Sequence, residues 1–374
     1  MRRAPLSVVL REWARIGATS FGGPPAQVAL LRELCVEQRR WIDAREFEDA
    51  NAATQLLPGP GGTQLAIYCA GRAGGRAGAV AGGLAFVLPG LLIVLAISAV
   101  ALGDSPPAWI RGIGAGAAAA VVAVVAQAGL SLGRSSLEGR RGGRLAWAVA
   151  YLLLGAAAVV AVGPYVVLTL VGCGLVELGR RRGGLAIHAW PVWLAAATAL
   201  PALAWTALKV GALSYGGGFV IIPLMQGDAV DEHGWMTGAE FVNAVAYGQL
   251  TPGPVVHTVA IVGWAAAGLG GALLAAAVAF APSFLAVLLL GQGFVRLRTS
   301  AGARAFLDGA GPAAVGAILG AVWFLADALE EWWQVVVLVA ACAVLLSGRA
   351  ALWALGGGAV AGLVVAVAGG AVPS

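Results

Sequence analysis

Ionisable side chains are scarce in this 374-residue chain. Asp, Glu, Lys and Arg together make up 11% of it, against about 25% in a soluble globular domain. Lysine occurs once, as Lys209, and histidine three times. No histidine or cysteine cluster has metal-ligand spacing, no glycine-rich loop is followed by a phosphate-gripping lysine, and no nucleophile has a base to partner it. Enzyme chemistry, a metal or a cofactor therefore has nothing to rest on. Cys35, Cys69, Cys173 and Cys342 stand apart without CxxC spacing and read as small buried apolar side chains. The start of the chain has no long apolar core before Arg11 and Glu12, so no cleavable signal is expected.

What fills the space is hydrocarbon. Hydrophobic residues make up 60% of the chain and the mean hydropathy is +0.88. Several charge-free runs reach the roughly 20 residues that a helix needs to cross a bilayer. The fold class that follows is an all-α integral membrane protein, with the lipid bilayer as its surroundings. The net charge of +5 needs no nucleic acid, because basic residues in such a chain mark the cytoplasmic loops.

One apolar run, Ala50 to Gly71, holds Gln55 and then Pro58, Gly59 and Pro60. Proline lacks an N–H and clashes with the preceding turn, and glycine leaves the backbone free, so no helix runs through. Broken backbone inside lipid survives only where protein covers it or a cavity receives it. The same break recurs as Gln249, Pro252, Gly253 and Pro254, with Gln55 and Gln249 lying 194 residues apart. At that spacing Gly17, Ser20, Phe21, Gly22 and Gly23 meet Gly211, Ser214, Tyr215, Gly216 and Gly217. Trp41, Glu46 and Phe47 meet Trp235, Glu240 and Phe241, and Ala66 and Phe86 meet Ala260 and Phe280. The chain is an internal duplication: a first membrane repeat over 1–184, a linker helix over 185–200 carrying Trp190 and Trp193, and a second repeat over 201–374. Packing alone would explain other glycines, such as Gly82, Gly83, Gly114, Gly116 and the run Gly356 to Gly358.

Loop charges give the orientation. The polar loop from Arg32 to Asp49 carries Arg32, Arg39, Arg40 and Arg45, whereas its counterpart, Gln226 to Glu240, has no arginine and holds Asp228, Asp231 and Glu232. The two copies are thus expected to have inverted topology, with discontinuous, re-entrant helices at the breaks. About nine helices then cross fully, out of about thirteen hydrophobic segments, with the N-terminus cytoplasmic and the C-terminus outside. Inverted repeats broken at matching places are the pattern of secondary transporters, whose site lies between the repeats near the midplane.

The sign of the ligand follows from the breaks. An opened helix N-terminus presents free N–H groups and a partial positive charge, which suits an anion. Arg15 stands five residues before Ser20, and Lys209 five before Ser214; both are placed to attract an anion, or to snorkel to the interface. Ser20, Ser214, Gln55, Gln249, Thr63 and Thr251 supply neutral donors. The breaks around them, Phe21, Gly22, Gly23, Pro58, Gly59 and Pro60 with Tyr215, Gly216, Gly217, Pro252, Gly253 and Pro254, form the rest of the expected binding site. His257 stands where the 194-residue offset puts Thr63, either as a structural residue or as a proton carrier.

These motifs resemble those of the bacterial chromate transporter family. The resemblance rests on Ser20 to Gly23, on Arg39, Arg40 and Trp41 with Glu46 and Phe47, on Gln55 to Pro60, and on Ser214 to Gly217 through Pro254. It covers nearly the whole chain, with Tyr215 in place of the more usual phenylalanine. The resemblance implies a multi-pass protein of the bacterial inner membrane that exports chromate and confers chromate resistance, with sulfate as the look-alike oxyanion. Whether it works as a homodimer stays open. Two other classes remain beside it, a lipid-phosphate flippase and an anion channel. The topology is testable directly: reporter fusions at Asp49 and Glu240 are expected to fall on opposite sides, the first inside and the second outside. The same side for both would remove the inverted-repeat reading.

Overall fold

The structure is a computed structural model and describes residues 3–54, 59–103, 105–182, 199–214, 218–290 and 300–373. Among them the chain is helical, with no strand. The first repeat runs α1 (Leu6–Thr19), α2 (Pro24–Arg32), α3 (Ala44–Thr54), α4 (Gly61–Ala101), α5 (Ala108–Leu137), α6 (Gly143–Val162) and α7 (Val166–Arg182). The second runs α8 (Ala199–Leu213), α9 (Ile221–Gln226), α10 (Gly238–Leu250), α11 (Thr258–Leu290), α12 (Ala301–Asp327), α13 (Trp332–Leu346) and α14 (Ala351–Val367). Five described helical stretches are long and apolar enough to cross a membrane: Gly61–Ala101, Ala108–Leu137, Gly143–Arg181, Val255–Leu289 and Ala301–Asp327. The expected linker helix, with Trp190 and Trp193, lies outside the described residues apart from its end, where α8 begins.

Every helix of the first repeat has its counterpart in the second, in the same order. Even a rare feature repeats: a π-helical turn covers Glu33–Gln38 and again Gly227–Glu232. The two stretches expected as polar loops are therefore mostly helical. Their polar residues cap helices rather than leave them. Asp43 accepts the Glu46 amide at 2.8 Å, and Thr237 and Glu240 close a reciprocal capping box at the start of α10.

Helix α4 has 41 residues, which would reach about 61 Å if straight, twice the hydrocarbon core of about 30 Å. Gly75, at φ +71°, divides it, and Gly268, at φ +60°, divides α11. Each is thus a short leg from the Pro-Gly-Pro break followed by a full span.

Past the breaks the two copies are offset by one residue fewer than the motifs imply. A Cβ on Gly17 would run into the Phe86 carbonyl, and a Cβ on Gly211 into that of Ala279. Gly75 answers to Gly268, Pro89 to Pro282, and the start of α5 at Ala108 to that of α12 at Ala301. The pairings of Ala66 with Ala260 and of Phe86 with Phe280 are each displaced by one. The cause is a 3-10 turn at Val255–His257 where the first copy has α-helix. Three 3-10 residues at about 2.0 Å rise cover the length of four α residues at about 1.5 Å.

The repeats interlock. Within each, the first helix lies on the long broken one, α1 on α4 and α8 on α11. Beyond that the partners are exchanged: α5 packs on α13 and α14, while α12 packs on α6 and α7. Small residues allow this. A Cβ on Gly116 would strike the Gly358 carbonyl, and one on Gly362 the Gly112 carbonyl, so two GxxxG stripes sit face to face. Gly82, Gly83 and Gly114 are also closely packed, but Gly356 and Gly357 meet nothing. The equivalent helices α5 and α12 run antiparallel where they touch, Gly129 against Leu319 and Gly133 against Val315.

Each repeat also ties its first helix to the segment after the first break with an ion pair. In the first, Glu12 takes Arg39 at 2.8 Å and Arg15 at 3.2 Å. In the second, the buried Lys209 meets Asp228 at 2.6 Å, and the Thr206 hydroxyl donates to the same carboxylate. Removing one member of such a pair strands its partner, at a cost of about 3–5 kcal/mol, whereas replacing both by apolar residues is often neutral. Lys209→Met is therefore expected to lower the melting temperature of the detergent-solubilised protein sharply, and Lys209→Met with Asp228→Leu to restore most of it. An equally unstable double variant would show that the pair is not what holds α8 to this segment.

Candidate functional site

The breaks are built where only glycine is comfortable. Gly22 and Gly23 have φ of +97° and +73°, Gly59 of +118°, Gly218 of +86° and Gly253 of +96°. L-residues with a Cβ avoid this left-handed region. After the first break α2 opens with Pro24 and Pro25, which fit the first turn because its N–H groups would lack intrahelical partners anyway. The same prolines remove two of the amides expected to face an anion. After the second break Pro60 caps α4 without a side-chain hydrogen bond, leaving the amides of Gly61, Gly62 and Thr63 as the exposed end of the dipole.

Each Pro-Gly-Pro break sits in the other repeat. The Gly253 amide donates to the Ser20 carbonyl at 3.1 Å, and a Cβ on Gly253 would approach the His257 ring and the Gly17 carbonyl. Gly90, in α4, lies against the Pro252 carbonyl and His257. On the opposite side Gly59 lies against Gln64, Ser283 of α11 and the Gly211 carbonyl. By these contacts His257 is the counterpart of Gln64, since each packs on its own copy's central glycine. The 194-residue offset had set it against Thr63.

Here buried polar atoms collect without partners. Among the described residues the buried hydroxyls of Ser20, Ser214, Thr63 and Ser283 make no hydrogen bond, and the Gln249 amide nitrogen is likewise unpaired. Neither ring nitrogen of His257 makes a hydrogen bond of good geometry, with the Val87 carbonyl to one side as a marginal acceptor. Leaving such a group unpaired in a dry interior costs about 1–3 kcal/mol. These groups are drawn from both repeats. Two residues beyond Ser20, at Gly22, opens a cavity of about 370 Å³, and of these groups Gln249 is the one in its wall. Gly22, Gly23, Pro24 and Pro25 of the first repeat line it, together with Phe219, Gln249 and Val255 of the second. Gln127 and Ser131 of α5 add polar wall.

Of the remaining expected residues, Gln55, Pro58, Tyr215, Gly216 and Gly217 lie outside the described residues. Phe21 is exposed, and the Thr251 hydroxyl is spent on the Tyr247 carbonyl at 2.6 Å. Arg15 and Lys209 do hold matching places, but each is neutralised by its carboxylate and neither lines the cavity. The donors that face the centre are neutral. Glu12 and Asp228 were visible in the sequence only as charged residues among others, Glu12 between Arg11 and Arg15 and Asp228 at the start of a polar stretch. Ser283, Gln127 and Ser131 had no signal, because a single hydroxyl or amide in a spanning helix looks the same whether it faces lipid, a neighbour or a cavity.

Known proteins resemble the chain along most of its length. It matches the Chromate transporter family over residues 8–178 and again over 201–363. The chromate transport protein of Cupriavidus metallidurans is 34% identical over 335 residues, covering 86% of this chain and 82% of its own length. The probable chromate transport protein of Synechococcus elongatus is 31% identical, over 85% of this chain and 84% of its own. The chromate transport protein of Pseudomonas aeruginosa is 30% identical, over 92% and 86%. No solved structure matches the chain. With two consecutive matches, a duplicated helical membrane architecture and the glycine-proline breaks in both copies, the chain belongs to the chromate transporter family.

Proposed function

We propose that the protein is a secondary transporter that exports chromate, or a tetrahedral oxyanion of similar shape such as sulfate, across the bacterial inner membrane. The anion binds between the repeats at the paired breaks. The observation that carries this is the cavity itself, whose wall is drawn from breaks in both repeats beside unpartnered hydroxyls from both. Chromate and sulfate offer only acceptor oxygens. Hydroxyl and amide donors match these without the tight grip of a fixed cation, which suits a site that must also let go.

Two further features support alternating access. The antiparallel contact of the equivalent helices α5 and α12 favours inverted repeats, because a two-fold axis along the membrane normal would leave equivalent helices parallel. The Gly253–Ser20 hydrogen bond joins the two breaks across the centre, as a closed gate would, which favours a transporter over an open channel. Direction and membrane rest on the family's motifs and on the arginines of the loops. The relatives' names supply chromate as the first substrate to test.

The hydroxyls permit a test in which binding and structural roles part. In a structural role, Ser20→Ala with Ser214→Ala would cost stability. As ligand donors with no partner in the protein, they are expected to leave the melting temperature unchanged or raised. Chromate uptake into inside-out vesicles under imposed pH and voltage gradients should fall at least tenfold, the order expected for about 1.5 kcal/mol of lost contact. Parental transport in a stably folded double variant would defeat the proposed site.

A further inference from the structure

A second cavity of about 370 Å³ lies at the other end of α5, and nothing above assigns it a role. Arg111, near the start of α5, is in its wall, whereas Ser131 lines the first cavity. Twenty residues separate them, about 30 Å along a helix at 1.5 Å per residue, which is the thickness of a hydrocarbon core. The chambers come close on α10, where Tyr247 lines one and Gln249 the other, but their far ends, at Arg111 and Ser131, point to opposite faces of the membrane.

The second chamber exists because the repeats differ. In the first, Glu46 is covered by the Tyr68 hydroxyl at 2.8 Å and the Arg72 guanidinium at 3.0 Å. With the offset corrected by one residue, the counterparts of Tyr68 and Arg72 are Ile261 and Ala265, and both line the chamber beside Glu240. A phenol and a guanidinium have been replaced by a butyl group and a methyl. The vacated space is faced from α5 by Arg111.

The polar groups of this chamber are unevenly used. Glu240 is engaged in capping, its Oε2 accepting the Thr237 amide at 2.7 Å. The Tyr247 hydroxyl donates to the Ile110 carbonyl at 2.9 Å. Arg111 makes no ion pair among the described residues, and its Nε is buried without a partner. Asn243 stands in the same wall. What is left over is the Arg111 guanidinium, a donor only, the Asn243 carboxamide, which both donates and accepts, and the second oxygen of Glu240, whose capped carboxylate keeps its charge at the edge of the chamber. A guanidinium desolvated on one edge and unpaired is suited to bidentate contact with an oxyanion.

We infer that this chamber is a second anion site, an oxyanion vestibule on the face opposite the first cavity, with Arg111 as its binding residue and Asn243 beside it. It rests on the reading of the protein as an oxyanion transporter. Arg111 supplies the fixed charge that the central site lacks. It draws the dianion out of the neutral centre on one face only, so the transport path has one charged end.

The test measures the two faces separately. Chromate transport is followed in right-side-out and inside-out vesicles, with wild type, Arg111→Gln and Arg111→Lys. Arg111→Gln is expected to raise KM at least tenfold from the Arg111 face and less than twofold from the other, and Arg111→Lys to recover part of the loss. Equal effects on both faces, or none, overturn the vestibule. Sulfate binding to the purified protein in nanodiscs, measured by calorimetry, separates this proposal from the transport reading. If the wild type moves no chromate, loss of one sulfate site in Arg111→Gln but not in Ser20→Ala with Ser214→Ala still upholds the vestibule. Unchanged sulfate binding in Arg111→Gln overturns it. Should Arg111→Gln not fold, Asn243→Leu is judged by the same face-specific KM.

Discussion

A polypeptide that breaks its helices inside a membrane must cover the freed backbone with protein, and most of this structure can be read as the way it does so. The Pro-Gly-Pro turns cannot complete their own hydrogen bonding, because proline has no N–H and the glycines take left-handed angles. Each turn is therefore set into the opposite repeat. Gly253 donates to Ser20 across the centre, and Gly59 rests on the Gly211 carbonyl and Ser283. Neither repeat could bury its breaks alone. The exchange of partners by α5 and α12 serves the same end, since it locks the halves together around the place where both are broken.

Symmetry governs the scaffold, and departures from it carry the chemistry. The two ion pairs use cations at matched positions, the half-exposed Arg15 and the buried Lys209, but recruit their carboxylates from unmatched ones, Glu12 and Asp228. His257 takes the place of Gln64, and Gly90 that of Ser283, so the two sides of the centre present different groups. Tyr68 and Arg72 close one flank while Ile261 and Ala265 open the other. A duplicated chain that stayed identical would treat both faces of the membrane alike.

How far residues alone could be read is clearest at particular positions. Gly22, Gly23, Gly59 and Gly253 were legible because backbone chemistry is local: a proline beside a glycine in an apolar run breaks a helix whatever surrounds it. The stretches after Arg32 and Gln226 were misjudged as loops, since capping carboxylates and solvent-facing ones look alike until a helix start is placed. Phe86 and Phe280 misled because a one-residue contraction in a 3-10 turn leaves the flanking motifs intact.

The sequence by itself determined that the chain lives in a membrane, that it is duplicated, and where its helices break. These depend on composition, periodicity and the covalent character of proline and glycine, all of which are present before the chain folds. Only the tertiary structure decided which charges remain free to act. Arg15 and Lys209 read as the residues that attract an anion until Glu12 and Asp228 were seen to neutralise them, while Arg111 drew no notice until its Nε was found unpaired beside a cavity. A charge acts through what surrounds it: Glu12 lies three residues from Arg15 and Asp228 nineteen from Lys209, whereas the walls that Arg111 faces, with Glu240, Asn243 and Tyr247, come from more than a hundred residues away.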